Sequence, residues 1–305
     1  MYALVYGVFK LLSWLPLRIL YVLADFLAWL AGDVVKYRRR VVEENISSAF
    51  PDRDEKWVRE TSRKFYRFLG DYFVETVRLL SMPAQEMERR MVFENVEEVE
   101  SLLEEGKDVS VYLGHYCNWE WVSSLPLHLV GGSIAAQIYH PLENKAMDKV
   151  FLRLRGRFGA HSIPMNSTLR TLLGWRREEK ASVTGYIADQ APGYDGIHLF
   201  VDFLHHDTPV FTGAERITRM FACAAYYCHI ERPRRGYYRC RFVKLCEDAS
   251  QLEPFELTRR YYKCLEEQIC QAPQYWLWSH RRWKRTREGF MAWHGEDAEK
   301  LLSRL

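Results

Sequence analysis

Between Val109 and Ala188 the chain alternates short β-rich runs with segments of helical period, and this alternation limits the fold more than any other feature of its 305 residues. Strand candidates fall at 109–113, 133–139, 161–164 and 181–188, with helical patterns at 119–130, 144–157 and 168–179 between them. A helix placed between two strands returns the chain to the same end of the sheet, so such strands pair in parallel. The expectation is an α/β fold with a mainly parallel sheet covered by helices. Hydrophobic residues make up 48% of the chain, enough for a sizeable core, and the length suits one large α/β domain with an appendage. After Asp189 come a glycine-containing loop, Ala191 to Gly196, and a hydrophobic segment, Ile197 to Leu204. Thr212 is placed to cap a helix running to about Ala225. Strands near 226–231 and 237–246 follow, and a helix from about Pro254 to Cys270 precedes a Trp/Arg-rich end.

Upstream of the sheet the pattern from Val41 to about Val99 is helical and charged. Phe65, Phe68, Leu69, Tyr72, Phe73, Thr76 and Val77 form a stripe at spacings of three and four, suited to packing on the domain that follows. Residues 1–35 are apolar and aromatic but are interrupted by Lys10, Pro16, Arg18, Asp25 and Asp33, so they form no clean twenty-residue span. They carry neither a basic start nor a small-residue cleavage site. Lys36, Arg38, Arg39 and Arg40 follow at once, which places the flank and the domain beyond it on the cytoplasmic side of a membrane. A buried helical hairpin of a soluble enzyme is the alternative for this stretch. The net charge of +3 is too small for bulk nucleic-acid binding. Seven cysteines, without a C-x-x-C pair, read as reduced thiols rather than a zinc site or a disulfide framework.

The chemistry centres on Gly114-His115-Tyr116-Cys117-Asn118-Trp119-Glu120, at the end of the first strand of the alternation. His115 falls in a strand-to-helix turn. Positions i and i+5 lie roughly 140° apart on a regular helix, so the two side chains can meet only if His115 bends over the helix start toward Glu120. A histidine so placed can take a proton from an attacking hydroxyl, while a carboxylate fixes its tautomer and stabilises the cation. Asp189 closes another buried-looking strand, at the strand end where open α/β sheets place functional groups. Its alternative is loop fixing. Arg155 and Arg157 end a helical pattern and are either solvated or available to hold a phosphate or an oxyanion.

Several further segments keep the order and spacing of one family. They are Tyr139-His140-Pro141-Leu142-Glu143-Asn144, then Arg153-Leu154-Arg155-Gly156-Arg157-Phe158-Gly159, Asp189-Gln190, Thr212-Gly213, and Pro273-Gln274-Tyr275-Trp276-Leu277-Trp278-Ser279-His280-Arg281-Arg282-Trp283-Lys284. Together with the His115 segment, Tyr37 to Arg40 and Asn45 to Pro51, they make the chain resemble the bacterial lipid A biosynthesis acyltransferases, the lauroyl/myristoyl-type branch of the lysophospholipid acyltransferase superfamily. The resemblance runs from the N-terminal stretch to about Arg287. His140 departs from the arginine usual there, and Phe203-Leu204-His205-His206 departs from a Phe-Phe-Gly-like segment.

The resemblance implies a glycerolipid acyltransferase-like fold with an N-terminal membrane-associated segment. It implies transfer of a fatty acyl chain from a thioester to a hydroxyl of a lipid A precursor, with His115 as base and Glu120 as its partner. It requires no cofactor or metal. Acyl carrier protein is the usual donor and coenzyme A the lesser option. Arg155 or Arg157, Asp189, Asn118, Arg281 and Arg282 become candidates for substrate binding, with Arg155 slightly favoured over Arg157. The rings and cations of 274–287 suit a boundary between acyl chains and anionic headgroups. The implied location is the inner membrane, facing the cytoplasm. The expected organisation is an anchor with basic flank at 1–40, a helical region packed on the core at 41–100, the acyltransferase domain at 101–290 and a tail at 291–305. A lysophospholipid, glycolipid or aminolipid acceptor is the enzymatic alternative, and a lipid-binding scaffold the non-enzymatic one.

Overall fold

The computed structural model describes residues 2–129 and 133–302. Nine strands are present among them: β1 (Met91–Glu94), β2 (Val109–Leu113), β3 (Ile134–Tyr139), β4 (His161–Pro164), β5 (Ser182–Ile187), β6 (Leu199–Phe203), β7 (His206–Val210), β8 (Ala224–Arg234) and β9 (Tyr237–Cys246). Seven of these make one sheet in the order β1-β9-β8-β2-β5-β3-β4, in which β8, β2, β5, β3 and β4 run parallel. β9 returns antiparallel from β8, and β1 lies parallel to β9. The mixed α/β architecture with a mainly parallel sheet follows the alternation in the sequence. Every residue of β2 is buried, as a central strand covered on both faces requires.

The helices are α1 (Tyr2–Ser13), α2 (Leu17–Trp29, continuing as a π-helical turn, Leu30–Val34), α3 (Arg39–Ala49), α4 (Glu55–Leu79), α5 (Ala84–Arg90), α6 (Val96–Glu104), α7 (Lys145–Arg155), α8 (Thr168–Arg177), α9 (Gly213–Met220), α10 (Glu256–Gln271), α11 (Arg287–His294) and α12 (Ala298–Leu302). α4 starts where the Asp54 carboxylate accepts the Trp57 N–H at 2.8 Å, and it buries the aromatic stripe that includes Phe65 and Phe68. α2 lies against it so closely that a Cβ on Gly70 would come 2.4 Å from the Ala24 carbonyl oxygen. The inner face of α2, Leu17, Leu20 and Ala24, thus belongs to the main core.

Three local expectations change, and one segment gains an element. The stretch after the site loop is a 3₁₀ helix, Trp121–Leu127, because Pro126 offers no N–H and the Ser123 and Ser124 hydroxyls donate to the carbonyls of Glu120 and Trp121 at 2.6 and 2.7 Å. The expected end of that helical pattern, at position 130, lies outside the described residues. The Thr212 side chain makes no cap, and α9 stops at Met220 because Ala222 turns to φ +51° and the chain enters β8. The segment Ile197 to Leu204 becomes half of a hairpin, β6–β7, whose two-residue turn holds Leu204 and His205 at φ +52° and +63°. β1, inside the stretch read as helical, reaches the sheet edge beside β9.

No single helix among the described residues is long and apolar enough to cross a membrane. α1 and the α2 segment pass that test only together, across a bend of 118°. Their outer faces expose Leu4, Val8 and Leu11 on α1 and Ile19, Val22, Phe26 and Trp29 on α2, at helical spacings of three and four.

Candidate active site

β2 and β5 are neighbours, and their parallel register pairs Leu113 with Ile187. The residues two places beyond each strand, His115 and Asp189, therefore emerge side by side at the carboxyl end of the sheet. His115 Nδ1 lies 2.5 Å from Asp189 Oδ1, and the His115 backbone N–H donates to Asp189 Oδ2 at 2.8 Å. The Trp276 indole N–H donates to the same Oδ2 at 2.8 Å. Asp189 is 2% exposed. Burial alone would raise its carboxyl, but the His115 charge and these three donors outweigh burial and bring it down to about 2.

The loop that presents His115 is tightly held. Gly114 lets the backbone approach, since a Cβ there would stand 2.6 Å from a Leu265 methyl and 3.3 Å from Asp189 Oδ2. Cys117 takes φ +51°, and its N–H donates to the Tyr275 carbonyl at 3.0 Å. Its thiol is buried and its pKa is raised by that burial, which makes it a packing group rather than a nucleophile. On the far ring nitrogen, His115 Nε2 stands 3.2 Å from Gln190 Nε2. With Nδ1 keeping its proton and donating it in a hydrogen bond to the ionised Asp189, Nε2 is the acceptor of that amide and the only ring atom free to act as a base.

The sequence expectation that His115 pairs with Glu120 is not what the geometry gives. Glu120 turns into the protein instead and receives Arg155 as a fork, from Nε at 2.8 Å to one oxygen and from Nη2 at 2.7 Å to the other. The physical reason is that no helix runs from the turn to fold His115 back over position 120, whereas the adjacent strand delivers a carboxylate directly. Burial works against the Arg155 charge, but Glu120 holds it and raises its pKa. The two pairs are linked by aromatic rings: Trp119 meets His115 edge-on at 5.1 Å and stacks on Tyr72 at 4.1 Å, and the Tyr72 hydroxyl lies 3.5 Å from Glu120.

The other candidates separate. Arg157 reaches away to the Met82 carbonyl at 2.8 Å. Asn118 is fully buried, donating to Glu75 at 2.8 Å and accepting the Trp121 N–H at 3.2 Å, so it faces the interior rather than a ligand. Arg282 is also buried, donating to the Pro209 carbonyl at 2.9 Å and the Tyr262 hydroxyl at 3.1 Å. Arg281 is exposed and lines an open cleft of about 990 Å³ with Arg53, His206, Trp283 and Lys284. Trp276 and Trp278 are core residues, so this segment does not offer lipid the row of rings its composition suggests. Two site residues were missed in the sequence. Trp276 sits in a quoted motif, but nothing there reveals that its indole meets Asp189. His280 accepts the Ala191 N–H at 3.2 Å, and burial, aided by Arg282, His115 and Lys284 against the pull of Asp189, lowers it to about 4 and keeps it neutral.

An imidazole held by a buried carboxylate at the carboxyl ends of adjacent parallel strands, beside an anchored arginine, is equipment for group transfer to a hydroxyl by general-base catalysis. The chain belongs to the bacterial lipid A biosynthesis acyltransferase family, whose model matches residues 1–285, and it is accordingly an O-acyltransferase. It is similar to the lipid A biosynthesis lauroyltransferase of Escherichia coli (strain K12), 24% identical over 292 residues that cover 93% of this chain and 91% of the relative. It is similar also to the palmitoleoyltransferase of lipid A biosynthesis from the same organism and to a lipid A biosynthesis acyltransferase of Shigella flexneri, each 23% identical over 279 residues covering 91% of this chain and 89% of the relative.

Proposed function

We propose that the protein transfers a fatty acyl group from a carrier thioester to a hydroxyl of a lipid A precursor at the inner membrane, with His115 as the general base and Asp189 as its partner. The observation that carries this reading is the His115–Asp189 couple at 2.5 Å in a chain of this family. The acceptor hydroxyl displaces Gln190 from Nε2 and gives its proton to that nitrogen as its oxygen attacks the thioester carbonyl carbon. The tetrahedral oxyanion collapses, the carbon–sulfur bond breaks, and the imidazolium returns its proton to the leaving thiolate. Asp189, already ionised, stabilises the cation between the two steps. No covalent enzyme intermediate is needed.

Arg155 takes the anion-binding role. Nε and Nη2 are used by Glu120, which fixes the guanidinium plane and leaves Nη1 for an oxyanion or a phosphate oxygen. Glu120 is thus an anchor of the arginine rather than an orienter of the histidine. Acyl carrier protein is the donor we favour, as the family resemblance implies, with coenzyme A as the other thioester. The hairpin of α1 and α2 is proposed to lie in the cytoplasmic leaflet's interface, supported by its apolar outer faces and by the basic run that follows at Lys36, Arg38, Arg39 and Arg40. Mass spectrometry of lipid A from cells with and without the gene tests the reading, with loss of one secondary acyl chain expected. Unchanged lipid A with altered phospholipids or aminolipids would refute the acceptor.

A further inference from the structure

A group of buried charges lies beneath the site loop, apart from the two pairs described. Glu75 of α4 is fully buried. One of its oxygens accepts the Tyr21 hydroxyl at 2.8 Å, and the other accepts the Tyr238 hydroxyl at 2.6 Å and the Asn118 amide at 2.8 Å. Its backbone carbonyl accepts the Trp121 indole N–H at 3.1 Å. Arg232 stands 3.7 Å away, held in turn by Asp71 at 2.6 Å, one turn earlier on α4. Burial pushes the Glu75 carboxyl up, and Arg232, Tyr238 and Asn118 pull it back. An apolar cluster of the same size would avoid the desolvation cost of such a network, so what the charges add is a defined register between the segments they join.

Those segments are informative. Asn118 is in the middle of the loop whose ends are His115 and Glu120, and Trp121 follows it. Tyr72, also on α4, stacks on Trp119. Helix α4 therefore grips the loop at 118, 119 and 121, on both sides of Glu120. Tyr21 comes from α2, whose opposite face exposes Ile19, Val22, Phe26 and Trp29, and α2 is seated on α4 at the close approach of Gly70 to Ala24. At the β8–β9 turn, Gly236 (φ +72°) makes room for Tyr21, since a Cβ there would fall 2.1 Å from its hydroxyl. The hydroxyl is thus constrained from two sides to point at Glu75.

We propose that Glu75 is a positioning residue for the site loop, and that the Tyr21 hydroxyl makes the geometry of that loop depend on how the apolar hairpin is seated. This rests on the acyl-transfer reading above. When the hairpin is seated, both Glu75 oxygens are satisfied and Asn118 is held. When Tyr21 withdraws, the oxygen it served keeps only Arg232, 3.7 Å away, the carboxylate turns toward that cation, and the loop relaxes at its midpoint.

The test uses full-length protein with an acyl thioester and a lipid acceptor in detergent micelles, measuring kcat and KM per folded molecule with the folded fraction taken from thermal melts. Glu75→Gln is expected to lower kcat by about 10- to 100-fold while the donor KM stays within about twofold, as a small displacement of reacting groups does. Tyr21→Phe is expected to lower kcat by about three- to tenfold, and the double variant to match Glu75→Gln alone, because both act through one carboxylate. Adding Asn118→Asp to Glu75→Gln restores an acid–amide pair in reverse and recovers most of the loss. Wild-type kcat per folded molecule in Glu75→Gln, with only the melting temperature reduced, would overturn the positioning role. Multiplying effects of Tyr21→Phe and Glu75→Gln would overturn the link to the hairpin. If Glu75→Gln does not fold, Tyr21→Phe and Tyr238→Phe decide, since each removes one hydroxyl from a different oxygen of Glu75, and wild-type kcat in both overturns the proposal. Failure of the wild-type protein to transfer acyl groups would refute the acyl-transfer reading instead.

Discussion

Asp189→Asn is the sharpest test of the proposed dyad because the surroundings dictate which way the new amide must face. Two N–H donors, from the His115 backbone and the Trp276 indole, converge on Oδ2 of Asp189, and His115 Nδ1 alone faces Oδ1. An asparagine keeps both donors only by placing its carbonyl oxygen where Oδ2 was, so its NH₂ points at Nδ1. The imidazole then accepts at Nδ1 and carries its proton on Nε2, the nitrogen that has to be bare for a hydroxyl to give up a proton. Loss of the base in this way should lower kcat by about 10²–10⁴-fold, with the donor KM within about twofold. The assay is thiol release coupled to detection of acylated product. Stability gives a second reading. Asp189 is held at about 2 against a usual 3.8, so its stabilising contribution, about 2 kcal/mol, is fully present above pH 3.8 and is lost as the pH falls through 2. The variant should therefore show a shallower fall in stability between pH 4 and 2. A kcat within about threefold of wild type would refute the assignment of Asp189 as the partner of His115.

Glu120→Gln leaves Arg155 buried without its carboxylate and should cost about 3 kcal/mol of stability together with most of the activity, read by thermal melts and turnover. Arg157→Ala, by contrast, loses one bond to a backbone carbonyl and should keep turnover within about twofold of wild type, since the residue faces away from both pairs. Gly114→Ala forces the His115 loop off Leu265 and Asp189, and an activity loss of about tenfold or more is expected in turnover assays of the folded variant. Val22→Glu places a charge on the outer face of α2, where the residue is 71% exposed, so flotation with anionic vesicles should weaken while the melting temperature changes little.

The sheet was legible because its strands carry a continuous β-rich pattern and its crossovers carry helical period. Only β1 escaped, being four residues between two helices. What the sequence could not show was strand order. Asp189 and His115 are 74 positions apart, and nothing in either segment says that β5 lies beside β2 with Leu113 opposite Ile187. Without that pairing, Glu120 is the nearest carboxylate in sequence and Asp189 only one strand end among several. Arg155 was readable as a cation near the site, but its partner was not, because the turn of α7 toward position 120 is set by tertiary packing. The Trp/Arg-rich end misled for a related reason. Composition counts rings and charges, and burial decides which are surface: Trp278 is in the core and Arg281 is outside.

Gln190 in contact with His115 Nε2 bears on fidelity. A thioester bound beside an uncovered imidazole is exposed to any water that reaches the ring, and each such encounter spends an activated acyl chain without making product. An amide resting on the basic nitrogen gives that lone pair a partner until something displaces it. A single water gains little by exchanging with a tethered amide, whereas a hydroxyl carried on a large acceptor brings binding energy from elsewhere in the molecule. On the proposed mechanism, the resting contact would therefore bias the partition of the donor toward acceptor and away from hydrolysis.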